Sequence, residues 1–347
     1  MKSIVITGGG TGGHILPLIA LLPQLKTAFD KIIYIGSEEL EENIAKQHNL
    51  PFYKIKTPKL QRKLTFKNFA IPFKLLGSIS KAKKLLKELK PNAILSKGGF
   101  VALPIVLAGS SLNIPCFTHE SDLSLGLANK LMANKCKAVF TSFKETANGL
   151  KNGIYSGSPI RQSLFYKDKQ TALKRFNLSG NKPIICITGG SLGSTAINIA
   201  VKNSLNQLGK NYDIIHLCGK GKQEEFKSQF YRQYQFITDI EKAFLISDLV
   251  VTRGGSNALF ELLCLNKPTL VIPLPKKSSR GDQIANANYF AEKNLVKVLP
   301  QENLTPSSLV YNINDLFKHK EQYKTAMQNY DVKIANVIIC QTILKYI

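Results

Sequence analysis

Acidic residues are scarce in this sequence: 23 Asp and Glu stand against 47 Lys and Arg, leaving a formal charge of +24. An imbalance of that size calls for an anionic partner, whether nucleic acid, a membrane surface or a phosphorylated substrate. No zinc-finger, RNP-like or basic-zipper pattern is present, which argues against nucleic acid. Nor does any uninterrupted apolar run approach the roughly 20 residues of a spanning helix, and the short run before the first glycines is too brief for a signal peptide, so a soluble cytoplasmic chain is expected. Paired cysteines are missing too. Cys116, Cys136, Cys186, Cys218, Cys264 and Cys340 form no CxxC and sit mostly in apolar strings such as IPCF and IICI, which predicts buried thiols rather than disulfides or metal ligands. Low-complexity segments and short repeats are absent.

What remains is material for a core: 44% of the 347 residues are apolar, and the length suits two domains of ordinary size. Short β-branched runs alternate with helix-length segments, predicting an α/β class with parallel sheets covered by helices on both faces. Strands are expected at SIVIT (3–7), KIIYIG (31–36), FYKI (52–55), NAILS (92–96), PCFTH (115–119) and KAVFT (137–141), then at PIICIT (183–188), DIIHLC (213–218), YQFIT (234–238), DLVVT (248–252) and PTLVIP (268–273). The rhythm pauses at GSPIRQS (157–163), where Gly157 and Pro159 break it. Domains are therefore expected over 1–157 and 158–331.

Each half opens alike, an apolar strand running into a glycine loop: IVITGGGTGGH and IICITGGSLGS. A third loop, SKGGFVALP (96–104), follows NAILS in the same manner. Such loops let main-chain N–H groups converge on an anion, with the following helix adding its positive end. Neither familiar fingerprint fits, because GGGTGGH lacks the GKS/T ending of a P-loop and no clear acidic ribose partner follows about 20 residues on. His14 closes the first loop where a helix begins, a place that favours the neutral, proton-accepting imidazole.

The motifs TGGGTGGH (7–14), SKGGFVALP, HESDLSLGLANK (119–130), GSPIR (157–161), GGSLGS (189–194), RGGSNALFE (253–261) and RGDQIANA (280–287), in that order over most of the chain, resemble the family 28 glycosyltransferases, the MurG family of bacterial peptidoglycan synthesis. The resemblance implies a GT-B fold, two Rossmann-like parallel-sheet domains facing across a cleft, with a last helix (about 332–347) returning to the first domain. It also implies inverting transfer of GlcNAc from UDP-GlcNAc to the C4 hydroxyl of MurNAc in lipid I, forming lipid II. The first domain would then serve the acceptor and the membrane, the second the UDP-GlcNAc.

Carried over by motif, Ser191 would meet the donor phosphates, Arg161 would lie near the nucleotide, and Ile237 would frame the uracil by its main chain. Ser256, Asn257, Ala258, Leu259, Phe260 and Glu261 match the uridine-binding helix start, with Glu261 on the ribose. Asp282 and Gln283 would read sugar hydroxyls, and Thr11, Gly12 and Gly13 would touch the donor sugar. Gly9, Gly10, Gly98 and Gly99 would receive the acceptor diphosphate. Where many members have HEQN this chain has HESD, so Asp122 replaces an asparagine assigned to the sugar and Asn129 is a candidate to share its role. His14 and Glu120 are the two candidates for the base. The sequence has no Asp-x-Asp motif, so no catalytic metal and no cofactor is expected.

Residues 59–90 hold ten Lys or Arg and one acid, interspersed with aromatic and leucine side chains. This resembles an interfacial membrane patch, carried by Lys63, Phe66, Lys67, Phe69, Phe73 and Lys74, while a core helix with a basic solvated face is the alternative. The implied partners are UDP-GlcNAc, undecaprenyl-linked lipid I, an anionic membrane surface and other cell-wall synthesis proteins, with no nucleic acid; the implied place is the cytoplasmic face of the cell membrane, peripherally bound. A diacylglycerol glucosyltransferase of the same fold would share the donor site and the patch, but HESDLSLGLANK favours the peptidoglycan enzyme. A non-catalytic nucleotide-sugar binding protein is the rival of a different class.

Overall fold

The computed structural model describes residues 1–58, 71–190, 192–224, 226 and 228–347. Two compact units emerge, Met1–Arg161 with Lys333–Ile347, and Gln162–Val332.

In the first unit the apolar runs become seven strands: β1 (Ser3–Thr7), β2 (Lys31–Gly36), β3 (Phe52–Lys54), β4 (Ala93–Ser96), β5 (Cys116–Glu120), β6 (Ala138–Thr141) and β7 (Gly153–Tyr155). They pair in parallel in the order β3-β2-β1-β4-β5-β6-β7. Alternate residues of β1 feed opposite cores, which is why its sequence is apolar throughout. Ile4 and Ile6 pack with Leu18, Leu21, Leu22 and Leu25 of α1 (Gly12–Ala28), beyond which α2 (Glu39–Gln47) follows β2. Val5 packs on the other face, with Ala82 and Leu86 of α3 (Ile71–Leu89) and Ala102, Ile105 and Val106 of α4 (Gly99–Ser111). A short helix, α5 (Leu127–Met132), adds Ala128 and Met132 to that core.

The closing helix Ala335–Leu344 belongs to this unit, and Ala335, Ile339 and Ile343 complete the α1 core. Its register is fixed by buried Asn336, whose Oδ1 accepts from the Ile160 amide at 3.0 Å while Nδ2 donates to the carbonyls of Ala20 at 2.7 Å and Ile160 at 3.1 Å.

The second unit repeats the winding: β8 (Ile184–Thr188), β9 (Asp213–Leu217), β10 (Tyr231–Tyr234), β11 (Leu249–Thr252), β12 (Thr269–Val271) and β13 (Lys297–Val298) lie in the order β10-β9-β8-β11-β12-β13, again parallel. Both sheets reverse direction of winding beside their first strand, between β1 and β4 and between β8 and β11. At such a switch point the loops diverge and leave room for a ligand at the carboxyl ends. The expected pair of Rossmann-like parallel sheets is thus present.

Three strand assignments need correction. The strand expected over 234–238 lies at Tyr231–Tyr234, because its partner β9 ends at Leu217 opposite Tyr234, leaving Phe236 67% exposed beyond the ladder. Edge strands β7 and β13 escaped notice, being short and half-buried without an apolar run. Cys264 is half-buried, while the other five thiols are buried as expected, and all six are free. Burial pushes the thiols of Cys116, Cys186 and Cys264 up to about 12, which keeps them unreactive. Among the described residues no helix is long and apolar enough to cross a membrane.

Asn336→Leu should destabilise the first unit by about 2 to 4 kcal/mol, since it strands the Ile160 amide and the Ala20 carbonyl in the core. Urea unfolding of the full chain measures this, and a loss below about 0.5 kcal/mol would mean that solvent or neighbouring groups replace those bonds.

Candidate functional site

In the first unit β1, β4 and β5 each release a loop at the same edge of the sheet. After β1 the chain runs through Gly8–Thr11 into α1, whose first turn carries no acidic residue and so presents its amides and positive dipole end without competition. Beneath this loop the fully buried carboxylate of Glu41, on the first turn of α2, accepts from the amides of Gly10 and Glu38, each at 2.7 Å. A Cβ at position 9 would stand 1.8 Å from Glu41 Oε1, so any larger residue there would have to push that carboxylate off the amides it receives. Tyr34 donates its hydroxyl to the Gly8 carbonyl at 2.5 Å, and burial, reinforced by the Glu41 charge, pushes the phenol up so that it keeps its proton.

His14 lies half-buried on the first turn of α1, its Nδ1 3.0 Å from Thr11 Oγ1. The second glycine loop packs against the first here: a Cβ on Gly99 would come within 3.0 Å of the Gly9 carbonyl oxygen and 3.6 Å of His14 Nδ1. His14 therefore stands where two amide-rich loops meet.

Glu120, at the end of β5, is buried and holds the following loop together. Its Oε2 accepts from the Gly126 amide at 2.8 Å and Asn129 Nδ2 at 2.9 Å, and its Oε1 from the Asp122 amide at 3.1 Å. Asn129 is only 4% exposed, and its Oδ1 accepts from the Thr118 hydroxyl at 2.8 Å. Both side chains thus act inside the wall of the site, whereas Asp122 is half-buried at its surface. Beside them Lys97, 2% exposed, donates to Ser121 Oγ at 2.6 Å. Burial brings its ammonium down to about 8, with the charges of Glu120 and Asp122 opposing that fall. His119 is held neutral by burial first and the Lys97 charge second; its Nε2 donates to the Gly157 carbonyl at 3.0 Å. Among the described residues His119 Nδ1 and the hydroxyls of Thr7, Ser142 and Ser158 are buried without a hydrogen-bond partner.

The second unit gathers its loops in the same way. β8 leads through Gly189–Gly193 to Ser194, which caps the helix Thr195–Leu208 by accepting from the Ile197 amide at 3.3 Å. Gly193 has φ +66°, and a Cβ there would fall 1.9 Å from the Cys218 carbonyl oxygen, so this loop demands glycine. Arg253, just beyond β11, ties three loops with one guanidinium: Nη1 donates to the Ile272 carbonyl at 3.0 Å, and Nη2 to Ser194 Oγ at 2.5 Å and Gln301 Oε1 at 2.7 Å.

The helix Ser256–Cys264 starts at this edge. Asn257 and Glu261 are one turn apart on a shared, half-buried face, with Ala258 beside them. Ser256, Leu259 and Phe260 are buried, Phe260 meeting the Phe290 ring edge-on at 5.2 Å, so these offer a ligand main chain rather than side chain. Ile237 is buried in the loop after β10. Asp282 accepts from Arg280 Nε at 2.8 Å, and Gln283 Oε1 from the Leu274 amide at 3.0 Å.

The structure thus brings Gly9, Gly10, Gly12, Gly13, Thr11, His14, Gly98, Gly99, Glu120, Asp122 and Asn129 to one edge of the first sheet, with Arg161 as that unit's last residue before the crossover. Ser191, Lys63, Phe66, Lys67 and Phe69 lie outside the described residues. Of the basic stretch, Phe73 is 77% exposed beside exposed Lys74, while Ser78, Ala82 and Leu86 turn inward, so α3 is both a core helix and an outward apolar-basic face. Glu41, Tyr34, Lys97 and Arg253 were not singled out from sequence. Lys97 and Arg253 sit inside SKGGFVALP and RGGSNALFE, and a cation directly after a buried strand was the available signal; Glu41, within ELEEN, gave none. Among the described residues no group of three His, Cys, Asp or Glu could hold a metal ion.

Residues 4–141 match the glycosyltransferase family 28 N-terminal domain and residues 184–341 the family 28 C-terminal domain. A Lachnospira eligens protein named UDP-N-acetylglucosamine–N-acetylmuramyl-(pentapeptide) pyrophosphoryl-undecaprenol N-acetylglucosamine transferase is 42% identical, covering 97% of this chain and 99% of its own. A Bacillus anthracis protein of the same name, numbered 2, is 40% identical over 100% of this chain and 99% of its own. The crystal structure of Acinetobacter baumannii MurG superposes with a TM-score of 0.78 at 26% identity, covering 99% of this chain and 100% of that one.

One support of the second unit's loops is a buried imidazole. His216, buried in β9, has Nε2 3.1 Å from Asn198 Oδ1 and Nδ1 2.7 Å from the Tyr231 hydroxyl. Asn198 Nδ2 donates to the Cys218 carbonyl, so its oxygen must accept, which puts the imidazole proton on Nε2 and makes Nδ1 the acceptor. Burial lowers His216 from 6.5 to about 4. The unfolded chain therefore binds the extra proton first, and the stability His216 contributes, complete above pH 6.5, is lost as pH falls toward 4. His216→Gln should flatten the acid limb of thermal stability between those values; an unchanged slope would mean that His216 does not control it.

Proposed function

This chain belongs to the family 28 glycosyltransferases, and from that premise we propose that it moves GlcNAc from UDP-GlcNAc to the C4 hydroxyl of MurNAc in undecaprenyl-linked lipid I, producing lipid II. The observation that carries this reading is the pair of amide-rich glycine loops in the first unit meeting at His14, together with a separate loop and helix start in the second unit suited to a nucleotide diphosphate.

In the second unit the Gly189–Ser194 loop and the start of helix Thr195–Leu208 would receive the UDP diphosphate, with Arg253 holding the loop to its neighbours. Glu261 would accept from the ribose hydroxyls, and the main chain at Ile237 would frame the uracil. As the bond from C1 to the diphosphate breaks, charge collects on the leaving oxygens, and fixed amides and helix dipoles stabilise it without reorganising. The MurNAc C4 oxygen attacks C1 from the opposite face, which inverts the configuration.

The proton of that hydroxyl would pass to His14. In the tautomer whose Nδ1–H donates to Thr11 Oγ1, Nε2 is the accepting nitrogen. Glu120 suits this role less well, because it is buried and already receives three N–H donors. The first unit would meet the membrane through the exposed apolar and basic face of α3, placing the enzyme peripherally at the cytoplasmic surface where lipid I is anchored.

Purified protein should turn over UDP-GlcNAc with a lipid I analogue and not UDP-glucose with diacylglycerol; the reverse preference would overturn the reading. His14→Ala should lower kcat on the order of 10² to 10⁴ with donor binding kept, and Glu261→Ala should raise the donor KM by the loss of roughly 1.5 to 3 kcal/mol. If Glu120→Gln alone showed the kcat loss, the base would be Glu120.

For the membrane, Lys63, Lys67 and Lys74 changed together to Glu should cut co-sedimentation with anionic vesicles, as should added salt. Phe69→Ser with Phe73→Ser should remove the salt-resistant remainder. Retained binding in both folded variant sets would place the membrane face elsewhere.

A further inference from the structure

Lys97 takes no part in the chemistry above, yet it occupies the point that three loops share. It follows β4 directly and opens the loop containing Gly98 and Gly99. Its stem lies against the first glycine loop, where a Cβ on Gly8 would approach the Lys97 Cβ within 3.0 Å. Its ammonium reaches the third loop through Ser121 Oγ at 2.6 Å, and Ser121 stands between Glu120 and Asp122 in sequence. With 2% of its surface exposed, the cation has given up nearly all its hydration. A buried ammonium is unfavourable unless negative groups compensate it. Glu120 and Asp122 supply that compensation, both acting to keep it charged.

The compensation runs both ways. Two carboxylates of one loop stand at the edge where the first unit presents its amides. An anion arriving there would feel the negative charge of both, and the cation held on Ser121 offsets one of the two.

We propose that Lys97 is a positioning residue for the anionic acceptor: its ammonium offsets one of the two carboxylate charges of Glu120 and Asp122, so that a diphosphate meets loop amides and the start of α1 beside a single net negative charge instead of two. The inference rests on the reading that the first unit receives a diphosphate-linked acceptor. It assigns to Lys97 an effect felt more by the acceptor than by UDP-GlcNAc, and it makes Asp122 the partner through which that effect is expressed.

Steady-state kinetics with UDP-GlcNAc and a short-chain lipid I analogue test it on the wild type, Lys97→Met, Asp122→Asn and the double variant. Lys97→Met should raise the acceptor KM about tenfold, the effect of one uncompensated charge across a partly screened distance, with the donor KM within about twofold of wild type. Adding Asp122→Asn should bring the acceptor KM back to within about threefold, a rescue that general loosening of the fold would not give. Asp122→Asn with Lys97 intact leaves no new buried space, and should by itself lower the acceptor KM; this arm decides the matter if Lys97→Met does not fold. An unchanged or raised acceptor KM in Asp122→Asn, equal effects on both substrates in Lys97→Met, or an absence of rescue each overturn the proposal. No turnover of the analogue by the wild type would instead overturn the acceptor reading itself, and the Lys97 proposal with it.

Discussion

Parallel pairing is the constraint on which both units depend. Every strand in either sheet must be followed by a crossover that returns to the opposite edge, so every carboxyl end, and the loop it releases, lies on the same side. Residues far apart in the chain are gathered by this rule alone: Gly10, Gly98 and Asp122 stand on one edge because β1, β4 and β5 are hydrogen-bonded in that order. The same rule brings the ends of β8, β11 and β12 close enough for the single guanidinium of Arg253 to join them. Neither site needs a long loop of its own, and each rests on the most deeply buried strands of its unit.

The scarcity of acids gains a structural meaning from where they are used. Glu41 accepts two amides under the first glycine loop, Glu120 three N–H groups behind the third, and Asp248 the Ile184 amide at the start of β8. Several of the few carboxylates thus serve as acceptors for main-chain donors. Lysines, by contrast, crowd α3 and stay exposed at Lys74, Lys81 and Lys84. Buried Lys97 and half-buried Arg253 are cations met by fixed acceptors.

Strands buried on both faces were legible because their apolar runs leave no other assignment. β1, β2, β8 and β11 fell where SIVIT, KIIYIG, PIICIT and DLVVT placed them, within a residue at each end. Edge strands carry no such signal: β7 and β13 are half-buried, and β10 was displaced toward a β-branched run that its partner is too short to pair with. The glycine loops could be read as sites from their position after strands. Their supports could not, since Glu41 acts 31 residues from Gly10, Lys97 24 residues from Ser121 and Arg253 59 residues from Ser194. Such pairs become visible only when strand order is known, as chain spacing says nothing of which loops become neighbours.

The return of the final helix to the first unit has a consequence for how the protein is made. On the ribosome the strands of the first sheet are complete once residue 155 has emerged, but Ala335, Ile339 and Ile343 are still unsynthesised, as is the asparagine that receives the Ile160 amide. The outer side of α1 must wait uncovered while all of Gln162–Val332 is translated, whereas that second unit is contiguous and can close as soon as its last helix appears. Maturation therefore runs opposite to chain order: the unit begun first is the one finished last, and a ribosome stalled anywhere before residue 335 would leave an incomplete core exposed to chaperones and proteases.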